Sequence, residues 1–497
     1  MRPGFFPGIF FPLVNFRVMA ILEICHIPPG PVTVTGKKIV LLIAILVGFL
    51  TPFDSSAVNI ALPSIGAEFH MDAIALSWIA TAYLLSAALF LVPFGKIADI
   101  HGRKRIFLYG IVIFSFASLA MTTVSSTGLM IAIRVIQGLG GAMIFGTGIA
   151  ILTSVFPPGE RGKALGIYIT VVYLGLSVGP CLGGVMTQYL GWRSIFFVNF
   201  PIGLAAVLLI LGKLDGEWAE CRGERFDLTG SVIYSAAIVA VMYGFSILPD
   251  STGIALILAG ILGAIVFAWY EMRVPAPVLE MRLLAANRVF AFSNLSALIN
   301  YSATYAVAFL LSLDLQYTQG FTPLYAGIIL VAQPAVQVIF SLIAGRLSDR
   351  IEPQIVASAG MALTALGLFP LIFISATTTI WYLVASLIVL GAGFGLFSSP
   401  NINAIMSSVE TRFYGVASGM NGTMRLLGQT LSMGIAMMLF AVIIGPVEIT
   451  PVYYQQFTTS LQIGFAIFTI LCVVGIFFSL IRGKVRQGFS RHAGKSP

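Results

Sequence analysis

Charge is what this sequence lacks. Only 9% of its 497 residues are Asp, Glu, Lys or Arg, against roughly 25% in soluble domains. So few charges cannot cover a water-facing surface, which excludes a soluble enzyme. Disorder needs low hydrophobicity, and 58% of this chain is hydrophobic before its 51 Gly are counted. Cysteine is scarce too. Cys25, Cys181, Cys221 and Cys472 form no C-x-x-C pair, so neither a disulfide framework nor a zinc site is indicated. His26, His70, His101 and His492 lie outside the apolar runs or at their edges, which leaves an intramembrane metalloenzyme without ligands. No G-x-x-x-x-G-K-[ST] segment offers an ATP site. A transmembrane barrel does not fit, because its ~10-residue alternating strands give only a weak hydropathy signal.

What is present is long apolar runs. A spanning helix needs ~20 apolar residues. Runs of that length fall near 39–60, 76–95, 106–124, 129–151, 164–189 and 195–212. Two follow at 229–248 and 253–271, and six more at 290–316, 324–344, 355–375, 380–400, 414–445 and 461–481. The expected fold is therefore an all-α polytopic membrane protein of fourteen helices.

The net charge of +8 is a topological signal. With the N-terminus placed in the cytoplasm, 22 of the 27 Lys and Arg fall on cytoplasmic segments, and only Arg193 falls outside. Arg134 and Arg425 lie inside spans, and Arg2 and Arg17 precede the first span. This bias is what the positive-inside rule expects. The basic residues then anchor the chain beside anionic lipid and do not form a nucleic-acid surface. Both termini are expected in the cytoplasm, and the membrane is expected to be the plasma membrane.

The chain repeats itself. Gly95-Lys-Ile-Ala-Asp99 after span 2 returns as Gly345-Arg-Leu-Ser-Asp349 after span 10, and Gly166 and Gly175 of span 5 match Gly419 and Gly428 of span 13. This implies two pseudo-symmetric six-helix bundles, 37–212 and 290–481, flanking two additional spans within 213–289. Residues 1–36 read neither as a span nor as a cleavable signal peptide. They are either a loosely membrane-associated tail or a segment lost to a later start. Residues 482–497 read as a basic cytoplasmic tail. Repeated bundles imply a central cavity and alternating access.

The few polar residues inside spans are the candidates for chemistry. A carboxylate in a span is costly and usually marks a pathway, which points to Asp54 as a proton carrier; a hydrogen-bonded, inert carboxyl is the alternative. Arg134 keeps its proton and needs a partner, so it either holds Asp54 ionised or snorkels. Gln137 shares nearly its face. Asn59, Gln137, Asn300, Gln333 and Asn401 are candidates for the substrate cavity, although such residues also satisfy backbone at helix breaks. Gly175, Gly179, Gly183 and Gly184 give span 5 a smooth face, and Pro180 favours a kink; together they suit a hinge or seal. Gly95 and Gly102 allow sharp turns around Asp99, Arg103 and Lys104, a candidate latch repeated at Gly345 and Asp349. Asp314 reads as a vestibule residue in preference to a second proton group. Arg425 is a further membrane charge without an assigned role.

Taken together these segments resemble the major facilitator superfamily, and more closely its fourteen-span drug:proton antiporter branch. Asp54 with Asn59-Ile-Ala-Leu-Pro63 resembles that branch's first-span motif, Arg134 to Ala142 its proton-coupling motif, and Gly175 to Gly184 its antiporter motif, which Gly191 to Gly203 continues. Gly95 to Arg105 resembles the superfamily's loop between spans 2 and 3, except that Ile100 stands where an Arg is usual. Gln316 to Gly327 resembles the loop after span 9, with Asp314 departing. The resemblance implies proton-driven export of lipophilic or cationic small molecules, with no cofactor and no enzymatic activity. The expected partners are substrate, protons and lipid and not nucleic acid; the oligomeric state is left open, and a monomer is compatible with the sequence. A carrier of one specific metabolite or peptide is the alternative.

Overall fold

The structure, a computed structural model, describes residues 34–214, 216–219, 223–348, 350–410 and 413–483. Most of the N-terminal extension, the tail beyond residue 483 and the latch residue Asp349 lie outside them.

Fourteen helices are long and apolar enough to cross a membrane. Spans 1 to 6 are Gly36–Phe69, Ala73–His101, Arg103–Met121, Thr127–Val155, Gly159–Leu190 and Arg193–Lys213. Spans 7 and 8 are Leu228–Ser246 and Ser251–Glu271. Spans 9 to 14 are Arg288–Thr318, Pro323–Ser348, Pro353–Leu371, Ile380–Ser407, Tyr414–Ile444 and Pro451–Ile481. Several helices outrun the apolar segments that announce them. Span 1 continues to Phe69 because its polar end is held: Glu68 accepts hydrogen bonds from Arg193 at 2.6 Å and from the Trp192 indole at 2.7 Å. Span 2 starts early because Asp72 caps it, accepting from the Ala75 amide at 2.7 Å.

Two bundles result. Span 1 packs on spans 5 and 6, span 2 on span 4, and span 3 on spans 4 and 6. In the other bundle span 9 packs on spans 13 and 14, span 10 on span 12, and span 11 on spans 12 and 14. The repeat is visible in the glycines. Gly175 brings span 5 against span 1, where a Cβ would lie 2.8 Å from the Phe49 carbonyl. Its counterpart Gly428 brings span 13 against span 9, where a Cβ would lie 2.8 Å from Tyr301 Cβ. Gly166 and Gly419, one repeat step earlier, face open space.

Spans 9, 10 and 13 are not continuous helices. Span 9 breaks at Tyr305 and ends in a π-helical turn, Asp314–Thr318; span 10 breaks at Val331 between Pro323–Leu330 and Ala332–Ser348; span 13 ends in a π-helical turn, Phe440–Ile444. Such irregularities free backbone groups and commonly mark functional places. Spans 7 and 8 pair with each other, and span 7 also touches span 2 of one bundle and span 13 of the other. The Tyr234 hydroxyl donates to the Ala88 carbonyl at 2.9 Å to hold it there.

Candidate functional site

Asp54 is fully buried in the middle of span 1, and spans 4 and 6 supply its hydrogen-bond donors. Arg134 of span 4 donates from Nη1 to Asp54 Oδ2 at 2.8 Å. Asp54 Oδ1 accepts from Asn199 Nδ2 of span 6 at 2.7 Å and from Gln137 Nε2 at 3.1 Å. Arg134 also donates to Gln137 Oε1 at 2.6 Å and, from Nε, to the Ile79 carbonyl at 3.0 Å. Its guanidinium lies 4.6 Å from the centre of the Tyr83 ring. Gln137 reaches on to Ser118 at 2.8 Å.

The surrounding sequence explains the convergence. Arg134 and Gln137 are three apart and therefore share a helix face. Gly140 lets span 3 close in, since a Cβ there would meet the Phe114 amide nitrogen at 2.7 Å. A buried ion pair loses its hydration, which is tolerable only if the remaining donors and acceptors are filled. Here they largely are. Asn199 and Tyr83 were not singled out from sequence; Asn199 lies within the quoted Gly191 to Gly203 segment, where an amide among apolar residues was the available signal.

Asn59, five residues along, does not join this cluster. Its carbonyl accepts from Ser312 Oγ of span 9 at 2.8 Å, and its buried Oδ1 has no partner. It belongs to a seam between the bundles. There Gln316 donates to the Ile60 carbonyl at 3.0 Å, and the Ser55 and Tyr305 hydroxyls meet at 2.6 Å. The glycine motif of span 5 serves both this seam and the packing of span 5 on span 1. Gly183 sits against Ala57, with Cβ room of only 2.8 Å, and Gly184 against Leu324 of span 10 at 2.9 Å. Gly179 faces Ser56, and the Pro180 carbonyl abuts Gly327. Toward the opposite ends of spans 5 and 13, Gly159, Gly162, Gly166, Gly415 and Gly419 have nothing within Cβ contact. The hydrogen bonds described between the bundles thus lie from mid-span toward the Trp192 end, and these glycines leave the opposite ends of spans 5 and 13 loosely packed.

The segment 95–105 lies at that opposite end. Gly102 has φ 118°, a turn that favours glycine. Asp99 pairs with Arg103 at 2.8 Å, and Arg103 donates to Ser154 Oγ at 2.8 Å. The Arg103 amide donates to the Trp218 carbonyl at 2.8 Å, and the Lys104 amide to Glu217 at 2.8 Å. Lys104 Nζ reaches the Leu214 carbonyl. These contacts tie the segment to the linker ahead of span 7. Gly95 faces open space, and Gly345 faces Ser399 Oγ at 3.3 Å.

The C-terminal candidates scatter. Asn300 is fully buried with neither amide atom partnered. Gln333 is half-buried in the turn that restarts span 10, its carbonyl against Gly391. Asn401 is committed to structure: it donates to the Ser293 carbonyl at 3.1 Å and accepts from Arg482 at 2.8 Å. Arg482 itself corrects an expectation. It was counted with the exposed basic tail, yet it is fully buried at the end of span 14. Burial pushes its guanidinium down to about 10, with Glu352 acting in the other direction. Asp314, read as a vestibule residue, is fully buried and accepts from Gln319 at 3.0 Å.

The sequence matches the Major Facilitator Superfamily over residues 44–433 and 293–494. It is 30% identical over 399 residues to the riboflavin transporter RibZ of Clostridioides difficile (strain 630), covering 80% of this chain and 86% of that protein. It is also 30% identical over 393 residues to the multidrug resistance protein Stp of Mycobacterium tuberculosis (strain CDC 1551 / Oshkosh), covering 78% of this chain and 73% of that one. Among solved structures, a D-xylose–proton symporter aligns with a TM-score of 0.65 over 89% of this chain and 97% of that chain at 14% identity, a likeness of fold alone. Fold, repeat and sequence agree: the chain is a transporter of the Major Facilitator Superfamily, in the branch that includes multidrug-resistance exporters.

Proposed function

We propose that the protein exports lipophilic small molecules in exchange for protons, by alternating access. The observation that carries this is the Asp54–Arg134 pair, fully buried beside the seam. A carboxylate held by one guanidinium and two amides is ready to receive a proton only when that grip loosens. Opening the seam where Pro180 and Gly184 of span 5 meet span 10 would part the bundles beside span 1. Water and a proton would then gain access to Asp54, and Arg134 would retain Gln137 and the Ile79 carbonyl as partners. The neutral carboxyl would travel with the closing bundle and discharge on the other side.

Most of the basic residues lie at the Gly102 end, which supports assigning that end, and both termini, to the cytoplasm of a plasma-membrane protein. The Trp192 end is then outside, and the arrangement described above faces inward. The Asp99–Arg103 segment would act as a latch whose hold on the 214–218 linker changes as the bundles rock. The driving force is adequate. One proton entering at 100 mV provides about 2.3 kcal/mol, and each pH unit adds about 1.36 kcal/mol.

Inside-out vesicles with an imposed pH gradient test the reading. Wild-type protein should accumulate substrate uphill and show substrate-dependent proton flux. Asp54→Asn should bind substrate and lose both. Uphill accumulation by that variant would remove Asp54 from the coupling role. The likeness to RibZ favours a second reading, a carrier for one specific metabolite; a screen returning a single hydrophilic ligand would select it.

A further inference from the structure

Arg425 is the one intramembrane cation that the coupling site does not use. It sits on span 13, half-buried, and projects toward the other bundle: its guanidinium lies 5.4 Å from the centre of the Phe145 ring of span 4. Among the described residues no carboxylate or other acceptor pairs with it, and its buried Nε has no partner. An arginine cannot shed its charge, and in a membrane it requires a partner or water. Arg134 has its partner in the same chain. Arg425 has none.

The surroundings are aromatic and hydroxylic. Tyr168 of span 5 and Tyr301 and Tyr305 of span 9 are among the neighbours of Arg425. Tyr305 meets Ser55 across the bundles, and Tyr173 meets Ser398 across them at 3.2 Å. Tyr301 packs edge-on against Phe394 with ring centres 5.4 Å apart. Arg425 therefore stands at the level where the two halves face each other, among rings that can stack a flat apolar body.

The acids point the other way. Within the described spans they are Asp54, Glu68, Asp99, Glu160, Glu271 and Asp314. Asp54 is taken by Arg134, Glu68 by Arg193, Asp99 by Arg103 and Glu160 by Lys37. Asp314 is sealed under Gln319 at the Trp192 end. Glu271 lies at the base of the extra hairpin, where it accepts from the Leu279 amide at 3.0 Å. Among the described span residues the carboxylates without a cation, Asp314 and Glu271, are buried near the ends of their spans, whereas the Arg425 guanidinium faces the other bundle.

Building on the antiport reading above, we infer that Arg425 is a substrate-recognition residue, and that the favoured cargo is an aromatic or apolar molecule bearing a carboxylate or comparable anionic group. Guanidinium and carboxylate match as a two-pronged, charge-assisted pair, while Phe145, Tyr301 and their neighbours hold the apolar part. This revises the cationic cargo expected from sequence. It also fits the energetics, because exchanging one proton for one monovalent cation cancels the electrical term, whereas exporting an anion uses it.

Equilibrium binding to the purified full-length protein in detergent tests this without any proton gradient, so its outcome is separate from that of the coupling experiment. Carboxyfluorescein and ethidium, one anionic and one cationic aromatic dye, are titrated by fluorescence anisotropy. Wild type should bind carboxyfluorescein more tightly than ethidium. Arg425→Gln should weaken carboxyfluorescein roughly tenfold or more, the loss of a charged hydrogen-bonded pair, and leave ethidium unchanged or improved. Arg425→Lys should retain part of the carboxyfluorescein affinity, and an unchanged melting temperature of both variants confirms folding. Tighter ethidium binding by wild type, binding of neither dye, or an equal loss of both dyes in Arg425→Gln overturns the inference.

Discussion

The two bundles share a fold and a repeat but place their intramembrane charges in different surroundings. In the N-terminal bundle the carboxylate, guanidinium and amides around Asp54 are almost all paired within the protein. In the C-terminal bundle Arg425 and Asn300 have polar atoms with no partner. A closed network holds one ion and one proton equivalent in a defined place. Open valences are what a ligand can fill. The difference teaches that the pseudo-symmetric halves divide the labour: the first half is organised for charge transfer, and the second leaves room for recognition. Asp54→Asn and Arg425→Gln probe the two sides most directly. If the assignment is correct, the first variant loses coupling and keeps binding, and the second does the reverse for anionic ligands.

The strongest effect on stability should come from the closed network. Arg134→Gln leaves the Asp54 carboxylate buried without its cation, which typically costs about 3–5 kcal/mol. The thermal midpoint in detergent should fall steeply. The double variant Asp54→Asn/Arg134→Gln removes both charges and should recover most of the loss. If the double variant is no more stable than Arg134→Gln alone, the pair is not what holds the bundle together, and the contrast with the second bundle fails.

Much of this was legible in the sequence, for physical reasons. Apolar run length dictates the spans, and the distribution of Lys and Arg gives their alternation, because lipid penalises unpaired polar groups everywhere. The same scarcity made Asp54 and Arg134 visible. What stayed hidden depended on which neighbours fold against a residue. Asn199 looks like any amide in an apolar run until span 6 is placed beside span 1. Arg482 follows the last apolar residue, so it reads as tail; only packing against Ser293 and Asn401 buries it. Asp314 read as a vestibule residue, but it is fully buried where span 9 enters its π-helical turn. Asn59 read as a cavity candidate, whereas its carbonyl is drawn to Ser312 of span 9 in the seam.

Two asparagines sharpen the comparison within the C-terminal bundle itself. Asn401 bridges span 9 to the end of span 14, donating to a carbonyl and accepting from a buried arginine. Asn401→Ala strands both, and one unsatisfied buried group costs about 1–3 kcal/mol. The thermal midpoint should drop measurably, with anionic-dye affinity unchanged. Asn300 is the same residue type, equally buried, with nothing to lose: neither its amide nitrogen nor its oxygen has a partner. Asn300→Ala removes polar atoms whose desolvation is uncompensated, so stability should stay the same or rise slightly. A change in ligand affinity would then identify the amide as one of the open valences of the recognition half. A loss of stability comparable to that of Asn401→Ala would show instead that Asn300 is structural, and would leave Arg425 as the single residue on which the division between the bundles rests.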